Sequence, residues 1–385
     1  MDAPQYSHLC AALTDVPDPR KRRGRRYPWP VLLTLIAAAL VSGQQGVRAV
    51  GQWAAEHAED LIPRLALPGR VPSTATLRRA LRAVDATALE ERLARFAADL
   101  PAPAAPPAAP PAWSGLAVDG KAVRGANRHG ARVHLVSLVR HADGRVLGQV
   151  KVADKTNEIG AAPGLLAGRR LAGAVVTMDA QLAQRALAGQ ILGQGGHYLM
   201  IAKENQPELR AAIDRLFTEP PPPLASDRLA RVATVGKGHG RLETRTLERS
   251  AALAGYLAWP GAQQALRRTC RRVIVATGEV QVETTYGVTS LPPESASAAA
   301  VEALWRGHWA IENKVHRVRD GTFAEDAWQV RTGAAPQALA ALRNGLLNLL
   351  RALGWTNIAD AVRHYGAYTQ RALALLATPP LPQRL

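Results

Sequence analysis

The sequence holds only two cysteines, Cys10 and Cys270, among 385 residues. That pair supports neither a disulfide framework nor a cysteine-based zinc site, and a reducing compartment is the default reading. Long apolar runs are also missing. The best candidate, Val31 to Val41, follows the basic cluster Arg20 to Arg26 as the core of a signal peptide or a membrane anchor would. It is too short to span a bilayer, is interrupted by Thr34 and runs into SGQQG without a small-residue cleavage pattern, so it reads as a buried core helix. The third shortage is of acid: 31 Asp and Glu stand against 48 Lys and Arg, a formal net charge of +17 and a pI near 10.7. Such an excess attracts a polyanion, most simply a nucleic-acid backbone, and expresses no sequence preference. The abundant Ala, Arg, Gly and Pro suggest a GC-rich genome, which raises Arg by itself, so the charge is discounted accordingly.

The length allows two or three domains at roughly 100 to 200 residues each, and 47% hydrophobic residues allow a large core. Residues 1–100 read as a helical domain suited to DNA: helices are expected over Val31 to Ser42, Val47 to Ala58, Ser73 to Val84 and Asp85 to Leu100. The third alternates Leu77, Ala80, Leu81 and Val84 with Arg78, Arg79 and Arg82 after a Pro72-Ser73-Thr74 start. It could enter a DNA groove, lie on a phosphate backbone, or present a merely solvated basic face. Residues 101–112 (PAPAAPPAAPPA) form a Pro/Ala linker.

Strands follow at Gly115 to Asp119, Arg132 to Val139 and Val146 to Val152. Then come a helix around Ala161 to Ala167, the strand GAVVTMD from Gly173, a helix over Leu182 to Leu192, the strand His197 to Ala202 and a helix over Pro207 to Phe217. Three meandering strands followed by helix, strand, helix, strand, helix is the ribonuclease H-like succession. The expected fold is therefore α/β: a mixed five-stranded sheet at residues 113–218, interrupted by a β-rich insertion at 219–293 and completed by helices at 294–385. The insertion's strands are expected at Leu229 to Val235, Leu242 to Arg249, Cys270 to Ala276 and Val280 to Ser290, with a basic turn GKGHGR between the first two.

In that fold the first and fourth strands are neighbours, and each ends here in a carboxylate, Asp119 and Asp179, where α/β sheets place their chemistry. Glu312 is the third acid. Trp305, His308, Trp309, Glu312 and His316 recur at spacings of three and four, which puts them on one face if the segment is a single helix. Three such carboxylates could hold two Mg²⁺ ions with positions left for water and phosphate, an arrangement that needs no protein nucleophile. Each acid also has a plainer reading: Asp119 or Asp179 as a helix cap, and Glu312 as an ion-pair partner of Lys314 or Arg306. His308 and His316 lack the further ligands of a zinc site. Trp259 could stack on an unpaired base, although core packing accounts for it as well.

These residues carry a resemblance. AVDGKAVRGA, HLVSLV, LGQVKVADKTNEI, GAVVTMDAQLAQ, YLMIAKENQPEL, GHGRLETR, HWAIENKVHRVRDGTFAED and ALRNGLLNLL run from Val118 to Leu350. Together with LTDVPDPRKRRGRRYPWPVLLTLIAAALVSG and VPSTATLRRAL they make nearly the whole chain similar to the bacterial insertion-sequence transposases of the H-repeat-associated type, within the Asp-Asp-Glu group. The resemblance implies a catalytic and metal-binding triad of Asp119, Asp179 and Glu312, with two Mg²⁺ ions for which Mn²⁺ can substitute. It implies strand cleavage at the element's ends by water, then attack of the freed 3′-hydroxyl on target DNA. It also implies double-stranded DNA as partner, a homodimer or higher oligomer on that DNA, and a cytoplasmic, nucleoid-associated location. Lys121, Arg124, Lys203, Asn205, His308 and Arg319 are the expected DNA contacts. A Tyr, Arg, Glu, Lys signature of the related group falls on Trp305, His308, Glu312 and Arg319, of which only Glu312 is identical. Arg317 and Gly321 also depart from the family, which usually has Trp and an apolar residue there, and the departures are expected to loosen the packing around Glu312.

Overall fold

The computed structural model describes residues 9–101, 113–128, 131–153, 157–219, 230–238 and 240–376. All but the first residue of the expected linker, together with residues 220–229 and His239 of the insertion, lies outside them. Six helices come first, α1 (Leu9–Thr14), α2 (Trp29–Val41), α3 (Val47–Glu56), α4 (Ala58–Arg64), α5 (Thr74–Ala83) and α6 (Ala86–Asp99). Then follow β1 (Ser114–Arg128), β2 (Ala131–Arg140), β3 (Val146–Lys151), α7 (Glu158–Leu166), β4 (Ala174–Met178), α8 (Arg185–Gly193), β5 (His197–Ala202) and α9 (Pro207–Thr218). Strands β6 (Ala230–Gly238), β7 (Arg241–Ser250), β8 (Gln264–Ile274) and β9 (Val280–Thr289) precede α10 (Ala298–Gly307), α11 (Arg317–Gly321), α12 (Ala335–Ala352), α13 (Ile358–Gly366) and α14 (Thr369–Leu376).

The chain divides into two compact units, one of Met1–Ala108, Gly120–Asn157 and Ala310–Leu385, the other of Ala109–Asp119 and Glu158–Trp309. In the first, the N-terminal helices share a core with the C-terminal ones. Every residue of α2 except Pro30 is buried, as a helix apolar on all sides must be, and it touches α1, α3, α12, α13 and α14. Among the described residues no helix is long and apolar enough to cross a membrane. Side chains supply the caps: Ser73 Oγ accepts from the Thr76 amide at 3.3 Å to start α5, and Asp85 Oδ1 accepts from the Ala88 amide at 3.0 Å to start α6. Helix α12 is buried along nearly its whole length, against α6 and β3. Asn348 on it both accepts from the Val146 amide and donates to the Val146 carbonyl, each at 2.9 Å, and so closes the free edge of β3 as a strand would.

In the second unit β1 and β4 are parallel, as are β4 and β5, and β5 is antiparallel to β9. The insertion therefore prolongs the sheet, in the order β1-β4-β5-β9-β8-β7-β6. Strand β4 has all five residues buried. Val175, Leu199, Leu247, Leu266, Val301 and Trp305 form the core under α10. The strand order β3-β2-β1-β4-β5 is that of the ribonuclease H-like mixed sheet that the sequence predicts. Three expectations need correction. Strand β1 continues for nine residues beyond Asp119. A fourth short helix, α4, with Pro63 inside it, fills the interval before Ser73. The single helix expected over 298–318 is broken after Gly307, and a π-helical turn, Glu312–His316, leads into α11. Cys10 and Cys270 are both buried, unpaired thiols.

A buried polar chain ties α6, β3, α11 and α12 together. Gln149 Nε2 donates to Glu90 Oε1 at 2.7 Å, and Gln337 donates to the other Glu90 oxygen at 2.9 Å. Gln149 Oε1 accepts from Arg319 and Asn344, at 3.1 and 2.9 Å. Glu325 then takes two cations: Arg319 Nη2 at 2.6 Å on one oxygen and Arg343 Nη1 at 2.9 Å on the other. Burial alone would raise the Glu325 carboxyl, but the two guanidiniums outweigh it and hold it below the ordinary range. Glu325→Gln leaves two buried cations short of an anion and is expected to cost about 3–5 kcal/mol in urea unfolding. At Glu90 burial wins and pushes the carboxyl up to about 7. The folded chain then keeps a proton that the unfolded chain releases near the ordinary 4.5, so stability falls as the pH rises between the two values. The loss is of the order of 3 kcal/mol, and Glu90→Gln is expected to remove most of it when urea unfolding is compared at pH 5 and pH 8.

Candidate active site

The register of β1 on β4 runs from Ser114 opposite Ala174 to Val118 opposite Met178. Asp119 and Asp179 are the residues that follow this last pair, Asp119 still within β1 and Asp179 just past β4. Strand alternation puts both carboxylates on the face that also carries Ala117 and Thr177. Asp119 is thus not at the tip of its strand, as the sequence suggests, but at the point where β1 leaves its partner and runs on. Both acids are half-buried. Thr177 is buried beside them, 3.2 Å from the Leu116 carbonyl and 3.1 Å from His308 Nδ1. With the hydroxyl proton given to Leu116, His308 Nδ1–H is the donor to Thr177. Burial lowers the His308 pKa below its ordinary 6.5, against the pull of the Asp179 charge, so the ring is neutral. His308, one of the expected DNA contacts, is 8% exposed and braces the end of α10 to β4.

Asp179 Oδ1 accepts from the Leu182 amide at 3.1 Å. It therefore caps a turn, while α8 starts only at Arg185. The loop that follows Asp179 is held from the chain beyond β5: Asn205 Nδ2 donates to the Ala180 carbonyl, and Gln206 Nε2 to that of Ala183 at 3.0 Å. Asn205 is a positioning residue for the Asp179 loop, and Gln206, which the sequence did not single out, shares the work.

Glu312 opens the π-helical turn in the other unit, its side chain 53% exposed. The shared face expected for Trp305, His308, Trp309, Glu312 and His316 does not form. Trp305 is buried against β9, where Gly287 leaves room for it: a Cβ there would lie 2.8 Å from the ring. Trp309 is 57% exposed. His316 stays beside Glu312, with Nδ1 3.7 Å from Oε2. Burial, with Arg319 and Lys121 nearby, pushes its pKa down to about 3, so the ring is neutral, and its buried Nε2 lacks a hydrogen-bond partner. Sequence reasoning noted His316 but did not place it in the site; its spacing of four from Glu312 was the available signal. Lys314 is not the ion-pair partner of Glu312, because its ammonium donates to the carbonyls of His141 and Ala142, at 3.1 and 2.9 Å.

Two more expected phosphate contacts are corrected. Lys121 is 8% exposed, with its ammonium 2.7 Å from Asp320 Oδ2 and 3.7 Å from Asp326 Oδ1. Arg319 has no exposed surface, and the Glu325 carboxylate takes its charge. Both hold the segment after Glu312 in place. Arg124, with its side chain 82% exposed, and Lys203 remain open to solvent. Arg317 and Gly321 are exposed, and a Cβ on Gly321 would meet nothing within 4 Å, so neither departure loosens the packing around Glu312. Trp259 is buried at 4% exposure and belongs to the core.

Comparison with known proteins adds to this geometry. Residues 81–349 match the family described as Transposase DDE domain, and residues 10–97 match that described as DDE_Tnp_1-associated. "Putative transposase YncI" of Escherichia coli O157:H7 is 27% identical over 344 residues, 87% of this chain and 85% of that protein. "H repeat-associated putative transposase YhhI" of Escherichia coli strain K12 is 26% identical over 355 residues, 90% of this chain and 91% of that protein. Among solved structures, the piggyBac transposase synaptic complex with hairpin DNA matches at 11% identity and a TM-score of 0.42, over 92% of this chain and 74% of that one, a likeness too distant to carry weight. The first match spans more than half of the sequence, from α5 to α12, and takes in Asp119, Asp179 and Glu312: the chain belongs to the transposase DDE-domain family.

Proposed function

We propose that this enzyme, which its family marks as acting on DNA, cuts strands at the ends of an insertion sequence and transfers them to target DNA, with Asp119, Asp179 and Glu312 as the acids on which the chemistry depends. The observation that carries the reading is the β1–β4 register, which makes Asp119 and Asp179 neighbours on one face. Mg²⁺ is the cofactor that suits these donors, and Mn²⁺ can replace it. The carboxylates offer hard oxygens, half-buried at Asp119 and Asp179 and exposed at Glu312, and the neutral His316 beside Glu312 keeps a ring nitrogen without a partner. Two such ions, when bound, stabilise the attacking and leaving oxygens of an in-line displacement at phosphorus.

The chain's own residues orient and hold. The Thr177–His308 bond fixes β4 beneath the acids without adding a positive charge that would compete with a cation. Asn205 and Gln206 keep the Asp179 loop in one place. Arg124 and Lys203 supply solvent-facing positive charge for phosphates. Two element ends have to be handled together, so the working form is a homodimer or higher assembly on double-stranded DNA, in the cytoplasm where the nucleoid lies.

The test is a cleavage and joining assay on labelled duplex carrying the element's terminal repeats, with Mg²⁺ or with chelator. Nicking at the repeat boundary and joined product should appear with Mg²⁺ alone. Asp119→Ala, Asp179→Ala and Glu312→Ala should each reduce cleavage by roughly a thousandfold, as expected for several kcal/mol of lost transition-state stabilisation, with DNA binding retained. Cleavage without joining would make the protein a nuclease, and binding without any cut under either metal would make it a silent DNA-binding descendant.

A further inference from the structure

The first unit carries two grooves lined by arginine, one on each side of α5. The larger, about 800 Å³, is lined by Arg20, Arg23, Arg26, Arg70, Arg79 and Arg82. The other, about 500 Å³, is lined by Arg48, Arg78, Arg82 and Arg331. No carboxylate lines either among the described residues. Among the described residues, Arg20 alone of these side chains is paired with an acid, Asp18 at 2.9 Å. Helix α5 is the ridge between the grooves: it buries Leu77, Ala80 and Leu81, exposes Arg78 to one groove and Arg79 to the other, and sets Arg82 on both.

Two cationic troughs separated by one helix match the surface of a B-form duplex, in which two phosphate backbones flank a major groove about 12 Å wide. A ten-residue helix is about 15 Å long and, with side chains, about 10–12 Å across, so it fits between the backbones. We propose that α5 enters the major groove of double-stranded DNA and that each arginine-lined groove receives one of the two phosphate backbones. The proposal rests on the reading that the chain acts on DNA, and it assigns the binding to a surface that contains none of the three acids. A-form RNA is excluded as an equal ligand, because its major groove is too deep and narrow for a helix.

The test is equilibrium binding of a labelled duplex to the full chain in chelator, where no strand is cut, over a range of salt concentrations. Each phosphate contact contributes about 0.9 to the slope of log affinity against log salt. Arg48→Gln/Arg78→Gln, in one groove, and Arg70→Gln/Arg79→Gln, in the other, should each lower that slope by about two units. Arg95→Gln/Arg215→Gln, exposed arginines that line neither groove, should leave it unchanged. All six substituted side chains are exposed, and an unchanged circular dichroism melt verifies folding. A drop for one pair alone overturns the placement between two backbones, and no drop for either overturns the site. Equal affinity for duplex RNA overturns the groove assignment. If the unsubstituted chain shows no salt-dependent binding at all, it is the DNA reading underneath that fails.

Discussion

The parallel ladder between β1 and β4 is the constraint from which the site follows. Side chains on a strand alternate with a strict period of two, so a one-residue slip of β1 would turn Asp119 to the opposite face from Asp179. Nothing about the two acids themselves prevents that slip. It is prevented by Leu116, Val118, Val176 and Met178, each nearly inaccessible to water, which would lose their places in the core. Apolar burial thus fixes the face that Asp119 occupies, and the residues around it consolidate the register: Thr177 reaches across to the Leu116 carbonyl, and His308 seals Thr177 from the end of α10.

The positive charge of the chain is divided between two uses that composition cannot separate. Some cations are internal ties. Arg319 and Arg343 share Glu325, Lys121 meets Asp320, and Arg145 donates to the carbonyls of Ala97 and Leu100 at the end of α6. These sit where replacing a partner leaves a bare charge in a poorly polarisable interior. Others line open grooves beside α5 whose lining, among the described residues, includes no carboxylate. The net charge of +17 therefore overstates what is available to a polyanion on some surfaces and understates its concentration on others.

Much of the fold was legible because its signals are local. The β-branched run at 174–178, the strand at 197–202 and the capped helices α5 and α6 are each specified by neighbours in sequence, and their limits were read to within a residue or two. What was not legible depended on tertiary partners. Strand β1 reads as ending at Asp119-Gly120, yet it continues because Val123 and Ala126 find a core with Leu135 and Ala340. The periodicity around Glu312 describes one regular helix, and the break after Gly307 ends the regularity that 3.6-residue spacing assumes. Arg319 and Lys121 look like surface cations until their acids, Glu325 from the following turn and Asp320 from α11, are placed against them.

The first unit is assembled from both ends of the chain, and this governs when it can exist. On the ribosome α2 and α6 emerge long before α12, the helix that covers them, and at typical elongation rates the interval is on the order of ten seconds to a minute. Through that interval their apolar faces have no native cover. Both arginine-lined grooves also draw on residues near 329–335, which arrive equally late. A message cut short before α12 would yield an N-terminal piece that lacks its core, rather than a free-standing binder able to occupy DNA and obstruct the intact protein. The arginine-lined grooves and the turn that carries Glu312 thus take their final form within the last stretch of synthesis.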